Sequence, residues 1–383
     1  MSGALEKRKF YIIAHNPNTI EDAKAFLLAG ANALEPDICV SDDKDFFVSH
    51  DHTAFSNPFS HEHNLVTYLT ELRAFIEKEG DKINLSLIMW DYKDPDAKLG
   101  IDTFLKVVHD NFSKFPSCAD IAMGVTNASL SHAGFLTKYD GKTTNVAVGV
   151  DEEKDPNDVV KRMETDGQKH YSYANGIIKT GIKLGVFHSM LNAKALQHKH
   201  EGLKLIYTWV MENQDAMRDF LHIHIDGIIV DLDHVGPLKS ILLENDFSPN
   251  YELARKGYNP WVAEALPSYY CIIHTADVTW AGTDAVIKFE LFGEAGSLTT
   301  VLNSDYKDIL EQGTIDVITL EGKNIGKVTK LKITALTSDS SSDWLPLRIR
   351  VRSNIDKDEA VFDFGPDDWV KKDIPMTKTA NAP

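Results

Sequence analysis

Cysteine is scarce in this chain. Cys39, Cys118 and Cys271 are odd in number and far apart in 383 residues, which excludes a disulfide framework as the basis of the fold. Buried free thiols are the expectation for such a pattern. Long apolar runs are missing too: the longest, such as Ile223 to Val230, are interrupted by His224 and Asp226 and fall well short of the roughly 20 residues that cross a bilayer. Any membrane contact is therefore expected to be peripheral. The opening MSGALEKRK carries charge with no apolar segment behind it, so no secretory signal is visible. Basic residues are in deficit, with 40 Lys and Arg against 57 Asp and Glu for a net charge of −17. That balance argues against a nucleic-acid backbone or a strongly anionic lipid surface as the main partner, and favours a zwitterionic head group or a neutral interface.

What is present suffices for a large core, since 43% of the residues are hydrophobic. From Phe10 to about Asp246, short apolar runs alternate with helical periods, the pattern of a parallel α/β fold. The expected strands are 10–15, 33–40, 85–93, 119–127, 145–151, 170–175, 203–210 and 226–231. Helices are expected over 20–28, 66–78, 103–112, 156–165, 176–184, 215–222 and 235–244. This alternation predicts a (β/α)8 TIM barrel, whose active site lies at the carboxyl ends of its strands. After Trp261 the pattern changes to strand-like runs separated by Gly, Asp, Asn and Ser, which predicts an all-β antiparallel sandwich. The expected division is a barrel over 1–265, a sandwich over 266–375 and a flexible tail over 376–383, with fraying from about Lys372.

Several of the barrel runs end on chemistry. Phe10 to His15 ends on an imidazole, Ala33 to Val40 carries Glu35 and Asp37, and Phe46 to His50 ends on a second imidazole followed by Asp51. Residues two apart on a strand share a face, so Glu35 and Asp37 can converge on one divalent cation. The run from Leu85 ends with Asp91 and Lys93, which adds a third oxygen ligand and a cation for a phosphate. A cation held by Glu35, Asp37 and Asp91 would neutralise a phosphodiester, while His15 and His50 exchange protons with the attacking and leaving oxygens. An all-oxygen set favours magnesium over zinc.

Other candidates carry less. The pairs His61/His63, His198/His200 and His222/His224 have strand spacing but no third partner that sequence can place; His198 and His200 read as a solvated loop, His222 and His224 as a helix end entering a strand. Trp209, in the run Tyr207-Thr-Trp209, is either core or a wall for a quaternary ammonium group through cation–π attraction.

The array His15, Glu35-Pro-Asp37, His50-Asp51, Trp90-Asp91-Tyr-Lys93, Tyr207-Thr-Trp209 and Asp226-Gly-Ile-Ile resembles the sphingomyelinase D/phospholipase D toxin family, a branch of the glycerophosphodiester phosphodiesterase-like barrels. Ala254 to Trp261, ending Asn-Pro-Trp, is similar to the tail motif that closes the barrel in that family, and His15-Asn16 departs from the His-Arg of the housekeeping phosphodiesterases. The resemblance implies His15 and His50 as the catalytic pair, Glu35, Asp37 and Asp91 as Mg2+ ligands, and Lys93, Tyr207, Trp209 and Asp51 as substrate contacts. It also implies release of choline or ethanolamine from sphingolipids or lysophospholipids by attack of the substrate's own hydroxyl, giving a cyclic phosphate. Two departures leave head-group preference open: no cysteine braces the loop after His50, and Asp231 stands where the arachnid toxins carry Asn.

Residues 268–372 resemble a PLAT (lipoxygenase-homology) sandwich through Val278-Thr-Trp-Ala-Gly-Thr-Asp284, Phe289-Glu-Leu-Phe-Gly-Glu294 and Trp344-Leu-Pro-Leu. That likeness implies a lipid or protein adaptor, with Asp284 as a candidate Ca2+ ligand. The expectation is a monomeric phospholipase D acting at a peripheral lipid interface, secreted by family resemblance, with cytoplasmic residence left open. Its rivals are a glycerophosphodiester phosphodiesterase acting on deacylated substrates and a lipid-binding adaptor with an inactive barrel.

Overall fold

The computed structural model describes residues 7–41, 45–50, 64–93, 100–127, 130, 145–151, 155–176, 184–304, 309–337, 343–355 and 358–381. The first part of the chain runs β1 (Arg8–His15), α1 (Ile20–Ala29), β2 (Ala33–Glu35), β3 (Asp37–Val40), β4 (Phe46–Val48), α2 (Leu65–Glu79), β5 (Leu87–Tyr92), α3 (Ile101–Val108), β6 (Ala122–Asn127), β7 (Val146–Val150), α4 (Pro156–Thr165), β8 (Tyr171–Gly176), α5 (Leu184–Gln197), β9 (Leu203–Trp209), α6 (Gln214–His222), β10 (Gly227–Val230), α7 (Leu232–Leu242) and β11 (Tyr251–Leu253). Parallel pairing from β1 through β2, β5, β6, β7, β8, β9 and β10 returns to β1 and closes a barrel.

The expected strand 33–40 is interrupted at Pro36, which has no N–H to give to a ladder. β2 pairs with β1 and β5, β3 carries on beside β5, and β4 folds back antiparallel on β3. This split sets the registers at the mouth: His15 lies opposite Glu35, and Asp37 lies opposite Asp91.

The barrel interior is filled from both ends of the size scale. Tyr11, Met89, Tyr207 and Trp261 are buried there among Ala33, Ala122, Ala147 and Ala174, whose small side chains leave them room. Trp261 comes from the segment after β11, which is tied to the amino ends of the strands: the Ala254 N–H donates to the Phe10 carbonyl, and Asn259 Nδ2 donates to Asn145 Oδ1 at 2.8 Å. The Asn-Pro-Trp tail thus plugs the base, and loss of a fully buried indole would cost about 3–5 kcal/mol. Helix starts are secured locally, with Thr19, Asn64, Asp155 and Asn213 each accepting a first-turn N–H, worth about 1 kcal/mol apiece.

Gly176 is the last residue of β8 and Leu184 opens α5, Leu184–Gln197, while residues 177–183 of the expected helix 176–184 lie outside the described residues. Two local expectations are corrected. His198 is no solvated loop residue: its Nδ1 lies 2.8 Å from Ser268 Oγ, and its ring stacks on Tyr270 at 5.4 Å. Residues 376–379 are not a free tail, since Met376–Thr379 forms a strand paired with residues 330–333.

The second part runs β12 (Ser268–Thr275), β13 (Val286–Gly293), β14 (Gly296–Asn303), β15 (Ile315–Glu321), β16 (Val328–Ala335), β17 (Pro346–Ser353), β18 (Glu359–Asp363) and β19 (Met376–Thr379). They form two four-stranded antiparallel sheets, β15-β12-β17-β18 and β14-β13-β16-β19. Alternate residues such as Ile287, Phe289, Leu291, Leu331 and Ile333 point into the core, where Trp344 meets Phe289 edge to face at 6.0 Å. The sandwich packs on α5 and α6 of the barrel. Its Glu321 pairs with Arg8 and, at 2.9 Å, with Lys194, while Arg8 also pairs with Asp226, so two basic and two acidic groups meet across the junction, all buried except the partly buried Arg8. Thr300 Oγ1 adds a bond to the His222 carbonyl at 2.7 Å.

Candidate active site

The carboxyl ends of β1, β2 and β5, with the start of β3, bring the expected residues together. Glu35, Asp37 and Asp91 are buried, and one oxygen from each lies within 4.8 Å of the others. Each is fastened from outside the trio. Glu35 Oε2 accepts the Asn16 N–H at 3.2 Å, where Asn16 takes a left-handed φ of 47° that asparagine tolerates better than most residues. Asp37 is clamped by Asn18, whose Nδ2 donates to Oδ2 at 2.6 Å and whose Oδ1 accepts the Asp37 N–H at 2.8 Å. Lys93, anchored by its backbone N–H on the Ile38 carbonyl, sets Nζ 2.9 Å from Asp37 Oδ1 and also pairs with Asp91.

Electrostatics at this mouth favour a cation. Burial pushes the Glu35 carboxyl well above its usual range and repulsion from Asp37 and Asp91 pushes it further, against the smaller pull of Lys93 and the Asn16 N–H. Burial alone would lower the Lys93 pKa, but Asp91, Asp37 and Glu35 outweigh it and hold the ammonium protonated. Three hard oxygen donors with surplus negative charge fit magnesium, and Glu35, Asp37 and Asp91 are the side chains that would hold it. Among the described residues no other three His, Cys, Asp or Glu side chains gather in this way. Asp284, the calcium candidate of the sandwich, is exposed.

Of the two imidazoles, His15 precedes Glu35 in the chain and His50 falls between Asp37 and Asp91. His15 ends β1, with Nδ1 2.8 Å from Asp231 Oδ1. His50 is exposed and follows Ser49, whose N–H donates to the Asp37 carbonyl at 3.0 Å, so the β3–β4 pairing ties the segment before it to the strand that opens with Asp37. Asp51, His61 and His63 lie outside the described residues.

Tyr207 and Trp209 share an anchor that sequence reading passed over. Tyr207 is fully buried and its hydroxyl donates to Asp151 Oδ1 at 2.5 Å; Trp209, half-buried, donates Nε1–H to the Asp151 carbonyl at 2.6 Å. Burial, then Asp91, raise the Asp151 carboxyl to about 7, against the hydrogen bonds from Tyr207 and Thr126. Tyr207 is therefore enclosed, and of the two only Trp209 has surface exposed. Asp151 directly follows β7, the strand-end position that singled out Asp91, and so was open to the same rule. Asn18 lies in a loop, where no periodicity marks it.

Comparison with known proteins finds similarity in both parts of the chain. Residues 5–261 match the family profile described as dermonecrotic toxin SPH, and residues 269–380 match the PLAT/LH2 domain. Dermonecrotic toxin LlSicTox-alphaIV1i of Loxosceles laeta is 23% identical over 279 residues, covering 66% of this chain and 98% of the toxin. Lipoxygenase homology domain-containing protein 1 of Mus musculus is 27% identical over 125 residues, 29% of this chain and 6% of that protein. Among solved structures, a glycerophosphodiester phosphodiesterase from Parabacteroides distasonis is 15% identical, covering 62% of this chain and 98% of that one with a TM-score of 0.40.

Proposed function

Because the chain belongs to the dermonecrotic toxin family, with a PLAT domain behind its barrel, we propose that it is a magnesium-dependent phospholipase D releasing choline or ethanolamine from sphingolipids or lysophospholipids. The observation that carries this reading is the buried trio Glu35, Asp37 and Asp91 with Lys93 paired to two of its members, and in this reading His15, His50 and Trp209 complete the site. The trio would hold magnesium, whose charge offsets that of the non-bridging phosphate oxygens. Lys93 adds a second cation for the phosphate. One imidazole takes the proton of the substrate's free hydroxyl as its oxygen attacks phosphorus; the other protonates the departing head-group oxygen. A cyclic phosphate and the free amino alcohol result. Trp209 packs on the quaternary ammonium.

The sandwich serves as the interfacial adaptor of a secreted enzyme, a reading supported by Trp280, which is 76% exposed on the loop between β12 and β13. Phosphorus NMR of products from sphingomyelin, lysophosphatidylcholine and glycerophosphocholine tests the whole assignment. A cyclic phosphate with magnesium supports it. Glycerol 3-phosphate from the deacylated substrate alone would replace it with water-driven diester hydrolysis, and magnesium-independent inertness towards all three would leave a binding protein.

A further inference from the structure

Trp209 ends β9, and the residue beside it on β8 is Gly176. No side chain fits at that position: a Cβ on Gly176 would overlap the Trp209 carbonyl oxygen and lie 2.6 Å from Cδ2 of its indole ring. Gly176 has no left-handed φ, so the glycine serves close approach and not a turn. Neither neighbour can step aside alone, because the carbonyl belongs to the strand and the ring is tied to the Asp151 carbonyl through Nε1 at 2.6 Å. Gly176 is itself fastened. Its N–H donates to Asn175 Oδ1 at 2.8 Å, and Asn175, which is buried, donates from Nδ2 to Ser189 Oγ of α5 at 3.1 Å. The Asn175 carbonyl accepts the Thr208 hydroxyl at 2.8 Å, so the two strand ends are stitched one residue before the indole.

We propose that Gly176, held by Asn175, is a positioning residue that seats the Trp209 indole and so tunes the site for quaternary over primary ammonium head groups, a role that rests on the phospholipase reading of this site. Carbon atoms in ordinary contact stand about 3.5–4.0 Å apart, so a methyl group at position 176 would push the ring by roughly 1 Å or more. Cation–π attraction acts on a cation over the ring face within about 6 Å of its centre. A trimethylammonium group has no N–H and depends on that face. A primary ammonium has N–H donors on every side and can turn them to oxygens at the mouth, so it loses less when the ring moves.

The test uses the full chain with magnesium and paired micellar substrates, lysophosphatidylcholine and lysophosphatidylethanolamine. Gly176→Ala is expected to lower the choline-to-ethanolamine ratio of kcat/KM by about threefold or more, within the range of a lost cation–π contact. Asn175→Ala, which adds no atom to the ladder, should lower the same ratio by a smaller factor and carries the test if Gly176→Ala does not fold. In a Trp209→Leu background neither substitution should change the ratio further, because the effect passes through the indole. Equal losses on both lipids overturn the proposal, and so does a further loss of preference once the indole is gone. A second readout does not depend on turnover: the indole N–H proton resonance, assigned to Trp209 by its loss in Trp209→Leu, should shift in both variants. If it stays in place, Gly176 does not seat the ring. If it shifts while the wild-type chain releases neither choline nor ethanolamine, the seat stands and the phospholipase reading falls.

Discussion

Glu321, the last residue of β15, enters the base of the barrel and meets Lys194 of α5 at 2.9 Å, with side-chain exposures of 5% and 1%. Arg8 closes the circuit by pairing with both Glu321 and Asp226. Two positive and two negative groups thus balance only when both domains are present. Glu321→Gln is expected to lower unfolding stability by about 3–5 kcal/mol, the cost of stranding a buried charge. Urea titration would read it, and Lys194→Met in the same chain should recover a large part. A change under about 1 kcal/mol would show the junction to be solvated.

The same junction should be acid-sensitive. Burial lowers His198 from 6.5 to about 3 and, further along, His222 to about 4, so both are neutral in the fold. Between the lowered values and about 6.5 the unfolded chain binds the protons first, and stability falls as pH falls through that window. His198→Gln is expected to flatten part of this slope. The check is the pH dependence of the unfolding free energy from pH 4 to 7, and an unchanged slope refutes the assignment.

Removing a metal ligand is expected to stabilise the metal-free protein. Glu35→Gln deletes a carboxyl whose pKa burial, Asp37 and Asp91 all raise, and its melting temperature without magnesium should exceed that of the parent by a few degrees. Adding magnesium should raise the parent's melting temperature and leave the variant's unmoved. Differential scanning calorimetry with and without the ion decides; equal shifts would place the ion elsewhere.

Trp209 is the least buried member of the Tyr207–Asp151–Trp209 unit. Trp209→Leu is expected to raise KM for choline lipids by roughly twofold to thirtyfold, the range of about 0.5–2 kcal/mol for cation–π contact, and to affect an ethanolamine lipid less. Equal losses on both head groups would make it a packing residue.

Much of the site was legible in the sequence because strand geometry is local. Alternation puts Glu35 and Asp37 on one face, and an apolar run ending in His15 or Asp91 marks a strand end whatever the neighbours are. The barrel followed from the spacing of such runs, and the Asn259-Pro-Trp261 plug from its likeness to a known tail. Weaker signals failed where structure is short or polar. β14, with its Ser and Thr residues, and β19, in a polar tail, form because β13 and β16 offer open edges to pair with.

Residue types and their order along the chain therefore pointed by themselves to three carboxylates gathered at a barrel mouth. Only the tertiary structure decided which distant side chains meet. Asp231 reaches His15 across 216 positions, Asp151 anchors Tyr207 across 56, and Glu321 meets Lys194 from another domain. Such partners are chosen by strand register and domain docking, which depend on the packing of the whole chain and leave no period in its sequence.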